Sequence, residues 1–198
     1  MITVRLALVA ALALAFLAIA SLARPTGAEA AAWTVDAAKS RIGFSGVQVG
    51  VPFQGRFKRF TARIDFDPAA PEAGHAVVDI DLASAETGDA QRDTALPQAE
   101  WFDTKATPQA RFEATRFVAK GGDAYEAVGT LTIRGIRRDA ILPFRLTRAG
   151  STARAVGHLD LVRTQFGVGQ GPWASGQWVA LEVGVEIDLT ATETASKP

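Results

Sequence analysis

The chain has 198 residues and no cysteine, and its 21 basic residues equal its 21 acidic residues in number. This balance argues against a nucleic-acid-binding protein, because such proteins usually carry a basic excess or a basic stripe. The absence of cysteine excludes disulfides, thiolate metal sites, cysteine nucleophiles and a lipoprotein anchor.

The first thirty residues differ in composition from the rest of the chain. Arg5 precedes an apolar run over 6–22, Pro25 and Gly27 then break the helical pattern, and small residues follow. This layout is typical of a secretory signal peptide with an A-x-A cleavage site. The alternative is an uncleaved membrane anchor, for which the run is at the short end of the roughly 17–25 residues that a spanning helix needs.

We therefore expect a signal peptide over residues 1–30, cleaved after Ala30 or Ala32, and one mature domain over 31–198. A cleaved signal peptide would release a secreted protein, so the sequence predicts a periplasmic location.

Beyond Trp33, apolar residues recur at every second position, which is the period of a strand with one buried and one wet face. The last segment shows this most clearly, because Val179, Leu181 and Val183 alternate with polar or small residues. The periodicity and the intervening turn residues predict eight strands, near 41–48, 54–66, 75–84, 110–118, 124–134, 138–148, 153–163 and 177–191.

One long segment interrupts the strand pattern. Thr87–Pro108 exceeds the length of a hairpin loop, and we expect a short helix around Asp89–Ala95 and a turn near Glu100–Asp103. This insertion falls between the third and fourth strands and would cover one end of the sheet. A second irregular segment over 167–176 is rich in glycine and contains Trp173.

A period of two allows either a sandwich or a closed barrel. The last strand is long and apolar on one side, and as an exposed edge it would promote aggregation, which closure prevents. The sequence therefore predicts an all-β fold, an eight-stranded antiparallel lipocalin-like barrel with a short helical insertion. Such a barrel is either filled by side chains or holds one small ligand.

Motifs for catalysis or metal binding are weak. His75 and His158 have no partner at metal-ligand spacing, and His158 lies on the polar side of its strand. Asp79 and Asp81 share one strand face, which we interpret as solvated, and no helix pattern follows the glycines of 167–171 as a phosphate loop requires. Because nothing combines an acid, a base and a nucleophile, we expect a binding protein with no catalytic residue, no metal and no required cofactor.

Four segments, in order and spanning almost the whole mature chain, resemble the YceI-like family of bacterial polyisoprenoid-binding proteins. They are Trp33-Thr34-Val35-Asp36 with Ser40-Arg41-Ile42-Gly43-Phe44; Gly55-Arg56-Phe57 with Phe60 and Ile64-Asp65-Phe66-Asp67; Thr87-Gly88, Arg92-Asp93 and Trp101-Phe102-Asp103 with Pro108 and Phe112; and Gly129-Thr130-Leu131-Thr132-Ile133-Arg134-Gly135 with Arg163 and Phe166-Gly167.

The resemblance implies an extended antiparallel barrel with a long tunnel that holds an isoprenoid, such as a quinone or a polyprenyl phosphate. The chain departs from the family pattern at Lys39 and at Thr94-Ala95, where histidine is often expected. A headgroup contact made by those histidines in relatives would be missing here.

Inward-facing apolar side chains of the predicted strands and loops form the expected tunnel wall. Taken singly, each phenylalanine is interpreted more simply as core filling. Four small residues, Ala62, Ala114, Gly129 and Gly157, are candidates for keeping the bore open. The predicted tunnel residues are Phe44, Phe53, Phe57, Phe60, Ile64, Phe66, Val78, Ile80, Leu82, Trp101, Phe102, Phe112, Leu131, Ile133, Phe144, Leu159, Leu161, Phe166, Trp173, Leu181 and Val183.

Three arginines are candidates for contact with a polar headgroup at the tunnel end, because guanidinium groups bind phosphates and carbonyls well. Arg92, Arg134 and Arg163 lie in motif segments close to the irregular loops. The simpler interpretation is an ion pair with a neighbour such as Asp93 or Asp160.

The leading hypothesis is a periplasmic protein that carries or scavenges an isoprenoid or another long-chain lipid. One alternative is an enzyme that acts on a lipid inside the same barrel. Another is an accessory protein that binds a partner in a membrane quinone system, which an exposed apolar rim at Trp101-Phe102 or Trp173 would favour. A bound quinone, transient membrane contact and a homodimer are compatible with these hypotheses.

Overall fold

The computed structural model describes residues 31–194, so the predicted signal peptide lies outside the described residues. The strands are β1 (Ala32–Val35), β2 (Arg41–Gln48), β3 (Val51–Phe57), β4 (Phe60–Asp65), β5 (His75–Asp81), β6 (Ala85–Glu86), β7 (Gln109–Gly121), β8 (Ala124–Ile133), β9 (Ile136–Ala149), β10 (Thr152–Val162) and β11 (Glu182–Glu193). The helix α1 (Ala90–Ala95) lies between β6 and β7.

All strand pairings are antiparallel, and the sheet closes on itself because β1 pairs with both β4 and β11. The barrel has eight strands, since β1 with β2, β3 with β4, and β5 with β6 each form one interrupted strand. The predicted eight-stranded antiparallel barrel with a helical insertion is therefore confirmed.

Two predicted strands are shorter than the alternation suggested. The segment predicted as 54–66 bends between β3 and β4, where Lys58 N donates to Ser84 O and Arg59 N donates to Ser84 Oγ. Ser84 is buried in a 3-10 turn that follows β5, and this turn also ends the strand predicted over 75–84. The close approach of the two segments stabilises a corner in the barrel wall.

The segment predicted as the start of the last strand is irregular. β11 begins at Glu182, and over 177–181 the backbone bonds to the end of β2 instead, through Ala180 N to Val47 O. The residues of β1, by contrast, were not predicted as a strand. β1 is only four residues long, too short for alternation to be distinctive.

The pairing between β9 and β10 is short for strands of 14 and 11 residues. It covers six pairs, from Thr152 opposite Ala149 to Gly157 opposite Phe144, whereas β10 pairs with β11 over its whole length. The ladder ends at Gly157, and Phe166 packs in a buried cluster with Leu131 and with Ala140 of β9.

The helix α1 begins where a side chain satisfies its free amides. Asp89 Oδ1 accepts from Arg92 N, the usual function of an N-cap residue. Asp93, in the first turn, accepts from both Thr87 N and Thr87 Oγ1. These bonds fix the start of the insertion, and Arg92 Nη1, which donates to Gln48 Oε1 on β2, links it to the barrel. Among the described residues no helix has the length and apolarity needed to cross a bilayer.

Candidate functional site

An internal cavity of about 230 Å³ runs along the barrel axis. Its wall is built from the inward-facing side chains of nearly every strand, because successive residues of a strand point to opposite faces. Within residues 31–194, Arg163 is the single lining residue that is charged or polar by type. The cavity can therefore make extensive dispersion contacts and few directed polar ones.

One end of the cavity is closed by an aromatic floor, which consists of Phe66, Phe117, Tyr125 and Phe144. The ring of Phe66 lies 4.8 Å from Phe117 and 5.5 Å from Tyr125, both edge-on. Trp33 packs in the same cluster, and its Nε1 donates to Phe66 O at 2.8 Å. Edge-to-face packing of this kind stabilises a dense apolar plug.

The opposite end is covered by the two irregular segments, 87–108 and 163–181. Trp101 lines the cavity there, and Trp173 packs behind it with ring centroids 5.6 Å apart. The guanidinium of Arg163 lies 5.3 Å from the centroid of the Trp101 ring. Both segments therefore meet over the cavity through two tryptophans and one arginine.

Arg163 is buried, with 3% of its surface exposed. Its Nε donates to Ala180 O, Nη1 to Val168 O and Gly169 O, and Nη2 to Trp173 O and Val179 O. A guanidinium has five N–H donors, so main-chain carbonyls satisfy all of them, and none of the acceptors is a carboxylate. Burial lowers the pKa of Arg163 from its ordinary value.

The other two candidate headgroup residues also contact the protein itself. Arg134 Nη1 donates to Ala99 O and Trp101 O, which fixes the turn before Trp101. Arg92 donates to Gln48 Oε1 and Thr87 Oγ1, and its guanidinium lies 4.9 Å from the centroid of the Phe53 ring. Contact between these arginines and a ligand stays a prediction.

The anticipated ion pairs differ from those observed. Arg92 approaches Asp89 at 3.9 Å, whereas Asp93 is bound by Thr87. Asp160 Oδ1 lies 2.9 Å from His158 Nε2 on the outer wall, where the histidine side chain is half exposed as its strand position predicts. Ser45 Oγ donates to Glu186 Oε1, which also lies 3.8 Å from His158 Nδ1, so the serine hydroxyl bonds to the carboxylate and not to the imidazole.

Most of the predicted tunnel residues line the cavity. These are Phe44, Phe57, Ile64, Phe66, Val78, Ile80, Leu82, Trp101, Phe102, Phe112, Leu131, Ile133, Phe144, Leu159, Leu161, Phe166 and Val183.

The structure places four predicted residues away from the cavity lining. Phe53 packs over Gly46 beneath Arg92, and Phe60 supports the buried cluster around Ile80. Trp173 lies behind Trp101, and Leu181 packs against Gly176. Phe60 begins β4, and Trp173 and Leu181 lie in irregular segments, where strand alternation no longer fixes the direction of a side chain. Phe53 lies within β3, opposite Gly46 and close to the hairpin that joins β3 to β2.

Further lining residues escaped the prediction although several share its strand faces. Val185, Ile187 and Leu189 follow Val183 with the same alternation. The remaining lining residues beyond Arg163 are Trp33, Ile42, Ala76, Leu96, Ala110, Phe117, Ala127, Leu142, Leu146, Ala153, Ala155, Val168, Val179 and Ala191.

Small residues do line the bore, but they are not the two alanines and two glycines that the sequence suggested. Ala62, Ala114, Gly129 and Gly157 are not among the lining residues, whereas Ala76, Ala110, Ala127, Ala153, Ala155 and Ala191 are. Gly129 is required for another reason, because an added Cβ would lie 1.9 Å from Glu113 O, where β7 bulges toward β8.

Comparisons with known proteins agree with this architecture. The model of the YceI-like domain family matches residues 33–191. UPF0312 proteins of Pseudomonas putida strains W619 and GB-1 are 30% identical over 162 residues, which cover 77% of this chain and 79% of each relative.

Solved structures show the same barrel. The chain is similar to Burkholderia cenocepacia BcnA, with 37% identity, a TM-score of 0.78, and coverage of 80% of this chain and 100% of that one. A polyisoprenoid binding domain from Saccharophagus degradans, implicated in plant cell wall breakdown, shares the fold with a TM-score of 0.65 at 16% identity, over 82% of this chain and 98% of that one.

Proposed function

This chain belongs to the YceI-like family, and on that premise we propose that it binds one isoprenoid or other long-chain lipid inside the barrel. The proposed ligand class is an amphiphile such as a quinone or a polyprenyl phosphate, bound as cargo. We propose a binding role without catalysis, in the periplasm after export.

The observation that carries the proposal is the chemistry of the cavity wall. Every lining side chain in the described part of the chain except Arg163 is apolar, and the donors of Arg163 are already bonded to carbonyls. A polar ligand in this space would lose its hydrogen bonds to water without replacement, which costs about 1–3 kcal/mol for each group. A hydrocarbon chain has no such cost, so the wall selects for it.

Hydrophobic transfer provides sufficient driving force. Burial of apolar surface contributes about 25 cal/mol per Å², so a chain with several hundred Å² yields a gross gain on the order of 10 kcal/mol. The loss of translational and chain freedom offsets much of this gain. Affinity therefore depends on chain length more than on any single polar contact.

The cavity size constrains the ligand. A volume of about 230 Å³ is below the roughly 300–1,000 Å³ of usual ligand pockets. The ligand we propose is consequently a slim, flexible chain rather than a wide ring system. Rotation of inward aromatic rings, those of the floor above all, would lengthen the bore for a longer chain.

We propose that the polar headgroup stays at the end covered by the segments 87–108 and 163–181. The aromatic floor at the other end presents the rings of Phe66, Phe117 and Phe144 to the cavity, whereas its fourth member, Tyr125, is not among the lining residues. Main-chain groups of the two segments and the guanidiniums of Arg92 and Arg134 supply the polarity of the opposite end, and Arg163, whose five N–H groups are bonded to carbonyls, adds its positive charge. The headgroup contacts of these arginines are part of the proposal.

The test is recovery of ligand from protein expressed in its own host, by organic extraction and mass spectrometry. Two neighbouring substitutions make a matched pair, because Ala155 lines the cavity whereas Val156 is 44% exposed on the outer wall. We expect wild-type protein and Val156→Trp to yield the same long-chain lipid, and Ala155→Trp to yield about tenfold less.

An empty wild-type barrel would contradict the proposal, as would equal lipid recovery from Ala155→Trp and Val156→Trp. Circular dichroism on each variant shows whether the barrel is intact, so that loss of lipid can be separated from loss of fold.

A further inference from the structure

Two segments without ionisable residues meet at one end of the barrel. Residues 42–55 and 164–181 contain no Asp, Glu, Lys, Arg or His, although 21% of the chain is charged. The structure joins them, because Val49 N donates to Trp178 O at 2.8 Å and Gln48 bridges to Val179. We call the surface formed by residues 48–52 and 177–179 the apolar tip.

The apolar tip exposes large hydrophobic side chains. Val49 and Val51 are each 66% exposed and Trp178 is 47% exposed. Two ionisable side chains contact residues of the tip: Arg92, whose Nη1 donates to Gln48 Oε1 and which is turned over Phe53, and the buried Arg163, whose Nη2 donates to Val179 O. Three exposed apolar groups on one uncharged surface form a patch of the kind that marks an interaction site.

The backbone at the tip is strained in a way that maintains this exposure. Val49 and Gly50 form a two-residue hairpin loop with φ values of 50° and 76°. Such a loop favours Asn-Gly, and a β-branched residue at positive φ is a genuine outlier. Strain held in an exposed apolar residue points to a function of that residue rather than to folding.

The tip adjoins the covered end of the cavity. Trp178 faces solvent, whereas Val179, the next residue, is buried and lines the cavity. Trp173, in the same segment, packs on Trp101, which also lines the cavity. A surface that binds Trp178 at the tip would therefore be close to the cavity, because the next residue, Val179, lines it.

We propose that the apolar tip docks onto the surface of a phospholipid bilayer. Tryptophan is enriched at the membrane–water interface, where its ring spans apolar and polar layers, and valines beside it would enter the acyl boundary. The absence of charge fits a zwitterionic lipid surface, on which a cationic patch is not needed. The proposal rests on the lipid-binding function above, because docking there would let a lipid enter the barrel without crossing water.

The experiment measures co-sedimentation of residues 31–198 with phosphatidylcholine vesicles. These residues contain every strand of the described barrel, and they omit the apolar run over 6–22, which would itself enter vesicles. We expect the wild type to partition into the vesicle pellet. Val49→Asn and Trp178→Ser should each weaken partitioning about tenfold, the factor that corresponds to about 1.4 kcal/mol of lost apolar burial.

The matched control is Val156→Asn, the same chemical change at an exposed valine on the barrel wall. We expect it to leave partitioning unchanged. Val49→Asn relieves the strained turn, so its melting temperature should equal or exceed that of the wild type, and weaker vesicle binding cannot then be attributed to unfolding.

Three results would overturn the docking proposal: no partitioning of the wild type, equal loss in Val49→Asn and Val156→Asn, or pelleting without vesicles, which would indicate self-association through the tip. Extraction of lipid from the same preparation separates the two proposals. If the barrel contains lipid but does not bind vesicles, the docking proposal alone is overturned. If the barrel is empty but binds vesicles, the lipid-binding function alone is overturned.

Discussion

Arg163 shows how an apolar barrel can contain a charged side chain without a carboxylate. Its five N–H groups donate to carbonyls of the segment 163–181, so the protein backbone replaces the water that burial removes. The segment in turn gains a fixed shape, because five of its otherwise free carbonyls converge on one group. We interpret Arg163 as the residue that positions this cover over the cavity.

We predict that Arg163→Met lowers the free energy of unfolding by about 3 kcal/mol, because it leaves buried carbonyls without donors. Urea denaturation measures this loss, and tryptophan fluorescence should report disorder around Trp101 and Trp173. Arg145→Met is the control, since Arg145 is an exposed residue paired with Asp123. A surface pair contributes about 0–1 kcal/mol, so equal losses in both variants would contradict the interpretation.

At the level of elements, cross-strand pairs stabilise the outer wall of the barrel. Arg154 on β10 donates through Nε and Nη2 to the two carboxylate oxygens of Asp188 on β11, at 2.7 and 2.6 Å. The hydrogen bond from Arg154 lowers the pKa of Asp188, against the opposing effect of burial. The ionised carboxylate is therefore stabilised more in the folded than in the unfolded chain.

This pair should make part of the stability depend on pH. Because the folded pKa of Asp188 is lowered, its contribution is present above the ordinary carboxyl pKa and is lost as the pH falls through the folded value. Asp188→Asn should thus reduce the melting temperature at neutral pH and have little effect in strong acid. A double-mutant cycle with Arg154→Gln measures the coupling, and a loss independent of pH would contradict the assignment.

The alternation in the sequence predicted the long strands well. It failed where the backbone conformation depends on contacts with residues distant in sequence. In β11 the sequence pattern alone fixes the direction of Val183. The same alternation continues through Val185, Ile187 and Leu189, which line the cavity although the predicted tunnel set did not include them. The irregular backbone over 177–181 could not be predicted, because it depends on bonds to Val47 and Arg163. The lining alanines were missed because alanine is too small to mark a strand face by itself.

At the scale of the whole molecule, the barrel has two unlike ends. One is sealed by the aromatic floor, and the other is covered by two irregular segments that carry Arg163 and Trp101, with the apolar tip beside them. The family pattern in the sequence implied a tunnel, and the fold provides a cavity of that kind. The sequence could not predict that the candidate headgroup arginines bond to the loops around them.

A bound lipid should contribute measurably to the stability of the whole barrel. A ligand at about a hundred times its dissociation constant adds about 2.7 kcal/mol, which in a domain of this size corresponds to about 5–10 °C in melting temperature. Extraction with organic solvent followed by refolding should lower the melting temperature by that amount, and addition of a polyprenol should restore it. Ala155→Trp serves as the control and should respond to neither treatment.

The short pairing of β9 with β10 has a consequence for how the barrel moves. Past Gly157 the wall depends on the packing of Phe166 and on Arg138 Nε, which donates to Gln165 O, instead of a continuous ladder. Amide protons of β9 and β10 that face each other along this line should exchange with solvent sooner than those between β10 and β11. The barrel can thus widen between β9 and β10 while the hydrogen-bonded ladders between its other strands remain intact.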